Sequence, residues 1–141
     1  MKKIYFLSGI AVAFALAGCS KDFLKRYDDR ITGGVWELVD VDRLGGGSTS
    51  RLPFRNGKFI FHDDGRMDYI NSQGEQYRGD WDIRRNWHDD RNVRSLRISM
   101  VNFNTQDVLS EFFDEIVFTG TNRFKAYVYS GVRGYVYRFR R

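Results

Sequence analysis

From Gly33 onward, apolar residues recur at every second position, as expected of strands with one buried and one wet face. In the stretch 77–84, Tyr77, Gly79, Trp81 and Ile83 share one face, while Arg78, Asp80, Asp82 and Arg84 share the other. An antiparallel sheet allows this arrangement. The alternation returns in Phe59/Phe61, Leu96/Ile98/Met100, Ile116/Phe118, Phe124/Ala126/Val128 and Tyr135/Tyr137/Phe139. Turn chemistry separates these runs at Asp63-Asp64-Gly65, Ser72-Gln73-Gly74-Glu75, Gly120-Thr121-Asn122 and Gly131-Val132-Arg133-Gly134, where glycine can take the positive φ that tight hairpins need. The pattern predicts about eight strands, near 34–42, 57–62, 66–71, 76–84, 94–102, 112–119, 123–130 and 134–140. Joined by short turns they make a meander, and closure pairs the backbone groups an open edge would leave unpaired. The expected fold is therefore all-β: a single antiparallel meander closed into a barrel. Asn104 to Leu109 is long enough for one helical turn.

The first residues follow a different pattern. Lys2 and Lys3 precede a nearly unbroken apolar run from Ile4 to Leu16, and small Ala17 and Gly18 come before Cys19, the order of regions in a signal peptide. A membrane span takes roughly 20 apolar residues, so the run is too short to be a comfortable one. Leu16-Ala17-Gly18-Cys19 resembles the lipobox of bacterial lipoproteins. The resemblance implies diacylglyceryl transfer to the Cys19 thiol, cleavage before it and acylation of the new amino terminus. The bland alternative is an ordinary buried cysteine at the end of a cleaved signal. Ser20, where aspartate would retain the protein, implies the outer membrane by resemblance to Gram-negative sorting, with the periplasmic or surface face left open. The organisation expected is residues 1–18 as signal peptide, 19–32 as lipidated tether and 33–141 as the β domain. In the tether Phe23, Leu24, Tyr27 and Ile31 have the spacing of one helix side, compatible with a short helix under the barrel or with a frayed spacer.

Charge narrows the partners. The chain has 23 basic and 18 acidic residues; loss of residues 1–18 removes Lys2 and Lys3 and leaves 21 against 18, a mildly basic domain. Arg138, Arg140 and Arg141 are the densest basic patch, but Arg138 and Arg140 alternate with Phe139 as solvated strand positions do, so nucleic acid is not an expected partner. Cys19 is the single cysteine, which leaves the domain to stand on its core without a disulfide.

Gly34-Val35-Trp36, opening the first strand, matches the Gly-x-Trp motif of lipocalins. The hairpin Phe59-Ile60-Phe61-His62-Asp63-Asp64-Gly65, the pair Gly79-Asp80-Trp81 with Leu96 and Ile98, and the closing Tyr135-Val136-Tyr137-Arg138-Phe139 extend the likeness over Gly33 to Arg141. The region resembles small bacterial lipocalin-like lipoprotein domains. The resemblance implies an up-and-down barrel with its tryptophan near the closed end, covered by a basic side chain from the last strand, here Arg138 or Arg140. The Thr-Asp-Tyr signature, disulfide pair and long C-terminal helix of larger lipocalins are missing, which tells against lipid or retinoid carriage.

Candidate chemistry is sparse. His62-Asp63-Asp64 and His88-Asp89-Asp90 are the only stretches with a metal-binding or catalytic look, but adjacent residues of a strand point to opposite faces and cannot converge on one ion. Asp80 and Asp82 sit among Arg78 and Arg84 as solvated charges, and no phosphate-binding glycine motif occurs. The residues therefore point to no enzyme, no metal and no cofactor. An eight-stranded barrel is just wide enough for side chains or one small ligand, and its many rings argue for a nearly filled interior. A ligand pocket would draw on Trp36, Tyr77, Trp81, Tyr135 and Tyr137, and would be at most shallow at the open mouth. The expected partners are the membrane, through lipid on Cys19, and a small hydrophobic ligand. The alternative is an envelope protein captured by the loops Arg43–Asn56 and Arg85–Val93, the second carrying Trp87.

Overall fold

The computed structural model describes residues 26–45, 52–130 and 133–141, with Arg133 described by its backbone alone. The expected signal peptide, the lipobox with Cys19, and the tether positions Phe23 and Leu24 lie outside the described residues, as does most of the glycine-rich stretch 45–50.

A short helix, α1 (Tyr27–Ile31), leads into nine strands: β1 (Val35–Leu44), β2 (Lys58–Phe61), β3 (Arg66–Ile70), β4 (Gln76–His88), β5 (Arg91–Val101), β6 (Val108–Phe113), β7 (Glu115–Gly120), β8 (Arg123–Ser130) and β9 (Arg133–Arg140). All pairings are antiparallel, in one sheet ordered β6-β5-β4-β3-β2-β1-β9-β8-β7. The alternating rings converge on one core that includes Trp36, Phe59, Phe61, Tyr69, Tyr77, Trp81, Phe113, Phe124, Tyr137 and Phe139. Edge-to-face contacts dominate where they meet, as between Trp36 and Phe124 at 4.8 Å and Phe113 and Tyr137 at 5.1 Å. This is the arrangement that ring quadrupoles favour.

Four expectations are corrected. The sheet is not closed into a barrel: β6 and β7 are its edges. The single strand expected at 112–119 is two strands, which alternation of direction along the sheet makes run the same way, with only Asp114 between them. Consecutive parallel strands cannot pair without a long crossover, so β6 bonds to β5 while β7 bonds to β8. The two ends of the sheet still meet, because β5 packs beside β7 and β6 beside β8. Asp114 Oδ2 accepts the Tyr129 N–H at 2.7 Å, and Glu115 Oε2 accepts the Tyr129 hydroxyl at 2.8 Å. Both bonds extend the β7–β8 side; across the seam itself Arg91 of β5 pairs with Glu115 of β7 at 3.7 Å, and His88 of β4 stacks on Tyr129 of β8.

No helix forms over the stretch 104–109 expected to make one turn: a helical-type bond lies earlier, from the Gln106 N–H to the Asn102 carbonyl at 2.8 Å, and Gln106 (φ 65°) ends it. Buried Asn102 instead accepts the N–H groups of Asn104 at 2.9 Å and Thr105 at 3.3 Å through its side-chain oxygen. Such a local bond competes with helix formation, and β6 begins directly afterwards. The loop expected at 85–93 is mostly strand: β4 and β5 run on to a two-residue turn at Asp89 (φ 47°) and Asp90 (φ 60°), a geometry aspartate tolerates.

A bulge lies between Leu38 and Asp40, where β1 slips against β9. It reverses the phase of the strand, as one extra residue does. Trp36 and Leu38 face the core before it, and Val41 packs against the core after it.

Candidate functional site

The Trp36 end is sealed by α1 and the C-terminus. The Trp36 indole is fully buried and donates from Nε1 to the Ile31 carbonyl at 2.6 Å. The Arg141 guanidinium carbon lies 4.6 Å from its ring centre, and the same side chain donates to the carbonyls of Thr32 and Thr121 at 3.2 and 3.0 Å. The basic cover on the tryptophan is therefore Arg141, not Arg138 or Arg140. Those two point outward, Arg138 to Asp40 at 2.6 Å and also to Asp42, and Arg140 to Glu37 at 3.8 Å.

Of the five expected pocket residues, Trp36, Tyr77, Trp81 and Tyr137 come together as members of the packed core. Trp81 donates to the His62 carbonyl at 2.9 Å and stands edge-on to Phe61, and Tyr77 leans on Tyr69. Tyr135 alone is half-buried, at the other end of the sheet from Trp36.

That end holds a polar group the sequence did not single out. Arg43 pairs in register with Tyr135, and its guanidinium carbon stands 5.9 Å from that ring's centre. Its Nε and Nη1 are buried and meet no acceptor among the described residues. Leaving buried charged donors unpaired is costly, because they give up water and gain nothing. Elsewhere in the core, Glu111 Oε2 lies 3.5 Å from the Tyr137 hydroxyl. Burial pushes the Glu111 carboxyl up, against the lowering effect of hydrogen bonds from the Phe112 N–H and Tyr137. Burial also pushes the Tyr137 hydroxyl up, with Glu111 adding to it, and raises that of Tyr69 to about 12. Alternation counted from Trp36 would place Arg43 outside, and only the bulge turns it inward. Glu111 was hidden by the misplaced start of its strand.

The histidines are placed apart. His62 Nε2 meets Asp68 at 2.7 Å, Asp64 binds the Arg66 N–H at 3.1 Å, and His88 stacks on Tyr129 at 4.3 Å. Asp82 accepts from Arg97 at 2.6 Å and from Arg84, while Asp80 faces Arg66 and Ser99 in register. Among the described residues no three of His, Cys, Asp and Glu converge as metal ligands would.

Comparison with known proteins finds no matching family model, no matching curated protein and no matching solved structure.

Proposed function

We propose that this chain is a lipid-anchored envelope protein whose curled sheet is a non-catalytic binding module. It takes a small molecule with an apolar body and an anionic group at the Arg43 end. The observation that carries this reading is the pair of buried, unpartnered Arg43 nitrogens beside the half-buried Tyr135 ring. A carboxylate or sulfonate would satisfy those donors, and a flat apolar body would stack where the ring is left uncovered. The filled core supports a ligand held at the end of the sheet rather than carried through it.

The anionic dye 1-anilinonaphthalene-8-sulfonate tests this directly. Saturable fluorescence enhancement is expected with the domain, and Arg43→Gln should weaken it on the order of ten- to a hundred-fold, the usual loss for a charge-assisted hydrogen bond. Binding that is absent, or unchanged in a folded Arg43→Gln protein, refutes the reading.

A second reading has its own observation. The β4–β5 hairpin carries Trp87, 72% exposed, beside its Asp89-Asp90 tip; exposed aromatics of this kind anchor protein contacts. Under it, Trp87→Ala removes capture of an envelope protein and leaves dye binding intact.

A further inference from the structure

The second unexplained feature is a cleft at the opposite end, where α1 meets the long β4–β5 hairpin. Its walls include Arg26, Tyr27, Asp28, Arg84, Arg85 and Arg94. Arg85 and Arg94 stand directly opposite each other across the β4–β5 ladder, a placement in which like charges repel. Three of the nearby acids are already engaged. Asp28 pairs with Arg26 at 3.6 Å, Asp82 with Arg84 and Arg97, and Glu115 with Arg91 at 3.7 Å. No ion pair of Arg85 or Arg94 with an acid is found among the described residues, and the Arg94 guanidinium carbon lies 5.7 Å from the centre of the Tyr27 ring. Two cations held face to face beside an aromatic wall repel each other, and an anion between them would relieve that repulsion.

The position of the cleft says which anion. Arg26 forms part of its rim and lies only seven positions after Cys19, with six residues between them. A fully extended chain of that length reaches at most about 25 Å, so an acyl group on Cys19 would hold this end of the domain at the bilayer surface. We infer that the Arg85–Arg94 cleft binds the phosphates of anionic lipid headgroups and lays the α1 end of the domain on the membrane. The inference rests on the lipid anchor of the proposed function and deepens it: the acyl chains fix the protein to the bilayer, and the arginine pair sets how the domain lies on it.

The test uses residues 20–141 without acylation. Among the described residues the buried core runs from Ile31 to Phe139, all within this segment. It is sedimented with vesicles of phosphatidylcholine alone and of phosphatidylcholine mixed with phosphatidylglycerol. Binding is expected to the mixed vesicles only, and to fall with added salt. Each arginine near an anionic surface contributes about five-fold, so Arg85→Gln with Arg94→Gln should weaken binding on the order of twenty-fold. Removing a repelling pair should leave the melting temperature unchanged or higher, which separates lost binding from lost folding. Arg66→Gln with Arg78→Gln removes the same charge from the outer face of β3 and β4 and should have much the smaller effect. Equal loss in the two double variants, equal binding to both vesicles, or displacement by millimolar inorganic phosphate would each overturn the assignment. Acylation of the full chain is read separately by fatty-acid labelling. A labelled chain whose domain ignores the mixed vesicles overturns the cleft and keeps the anchor; an unlabelled chain whose domain binds them does the reverse.

Discussion

The sealed end offers the sharpest test of how this fold is held together, a double-mutant cycle between Trp36 and Arg141. Trp36→Phe removes roughly 40 Å² of buried ring, about 1 kcal/mol at the usual coefficient. It also strands the Ile31 carbonyl, which accepts from the indole at 2.6 Å, at about 1–3 kcal/mol. The single variant should therefore lose about 2–4 kcal/mol. Arg141→Met keeps the aliphatic stem but removes the charge over the indole and the donors to the Thr32 and Thr121 carbonyls; because Arg141 is exposed, about 1–2 kcal/mol is expected. The coupling between them isolates the guanidinium–indole contact and should be about 0.5–1 kcal/mol. Urea unfolding followed by far-ultraviolet circular dichroism measures all four proteins. Arg138→Met paired with Trp36→Phe is the control and should show no coupling, since Arg138 is occupied by Asp40 and Asp42. Coupling with Arg138, or none with Arg141, would refute the account of how this end is covered.

Two further outcomes follow from the sheet. A Cβ added at Gly79 would lie 1.9 Å from the Ser99 carbonyl oxygen and 2.7 Å from the Met100 Cα; both are backbone, so Gly79→Ala must push β4 and β5 apart and should cost more than about 3 kcal/mol in urea unfolding, whereas an ordinary small loss would mean the strands lie further apart. For Asp82, burial raises the carboxyl but the hydrogen bonds from Arg97 and Arg84 outweigh it and hold it below its usual range. A depressed folded pKa contributes stability above the unfolded value near 3.8 and loses it as pH falls through the folded value. Asp82→Asn should therefore lower the melting temperature at pH 7, and the difference should shrink as pH falls below the unfolded value near 3.8 and through the lower folded one; a constant difference across that range would show that charge plays no part.

The alternation in the sequence was enough to place most of the strands and nearly all of the core, because a two-residue period leaves large rings one side to go. It also contained the correction at the sealed end: Arg141 shares the phase of Tyr137 and Phe139, whereas Arg138 and Arg140 do not. What stayed hidden depends on local breaks in that phase. The Val39 bulge turns Arg43 inward although counting from Trp36 puts it outside. The Asn102 side chain competes with the helical turn and lets β6 start early, carrying Glu111 inward. Asp114 divides what reads as one strand, and nothing in the residues 112–119 announces that the two halves choose different partners. The cross-strand pair Arg85 and Arg94 was equally invisible, since it requires the β4–β5 register beyond the point where alternation fades.

The division at Asp114 also determines how the domain can come apart. A sheet wound into an uninterrupted hoop must break backbone pairing wherever it opens, but here the join between the two ends of the sheet is carried by packing, by the Arg91–Glu115 ion pair and by the His88–Tyr129 ring contact. Opening along that line sacrifices no ladder, so the molecule has a preferred hinge line, and slow breathing of the interior toward solvent would begin there.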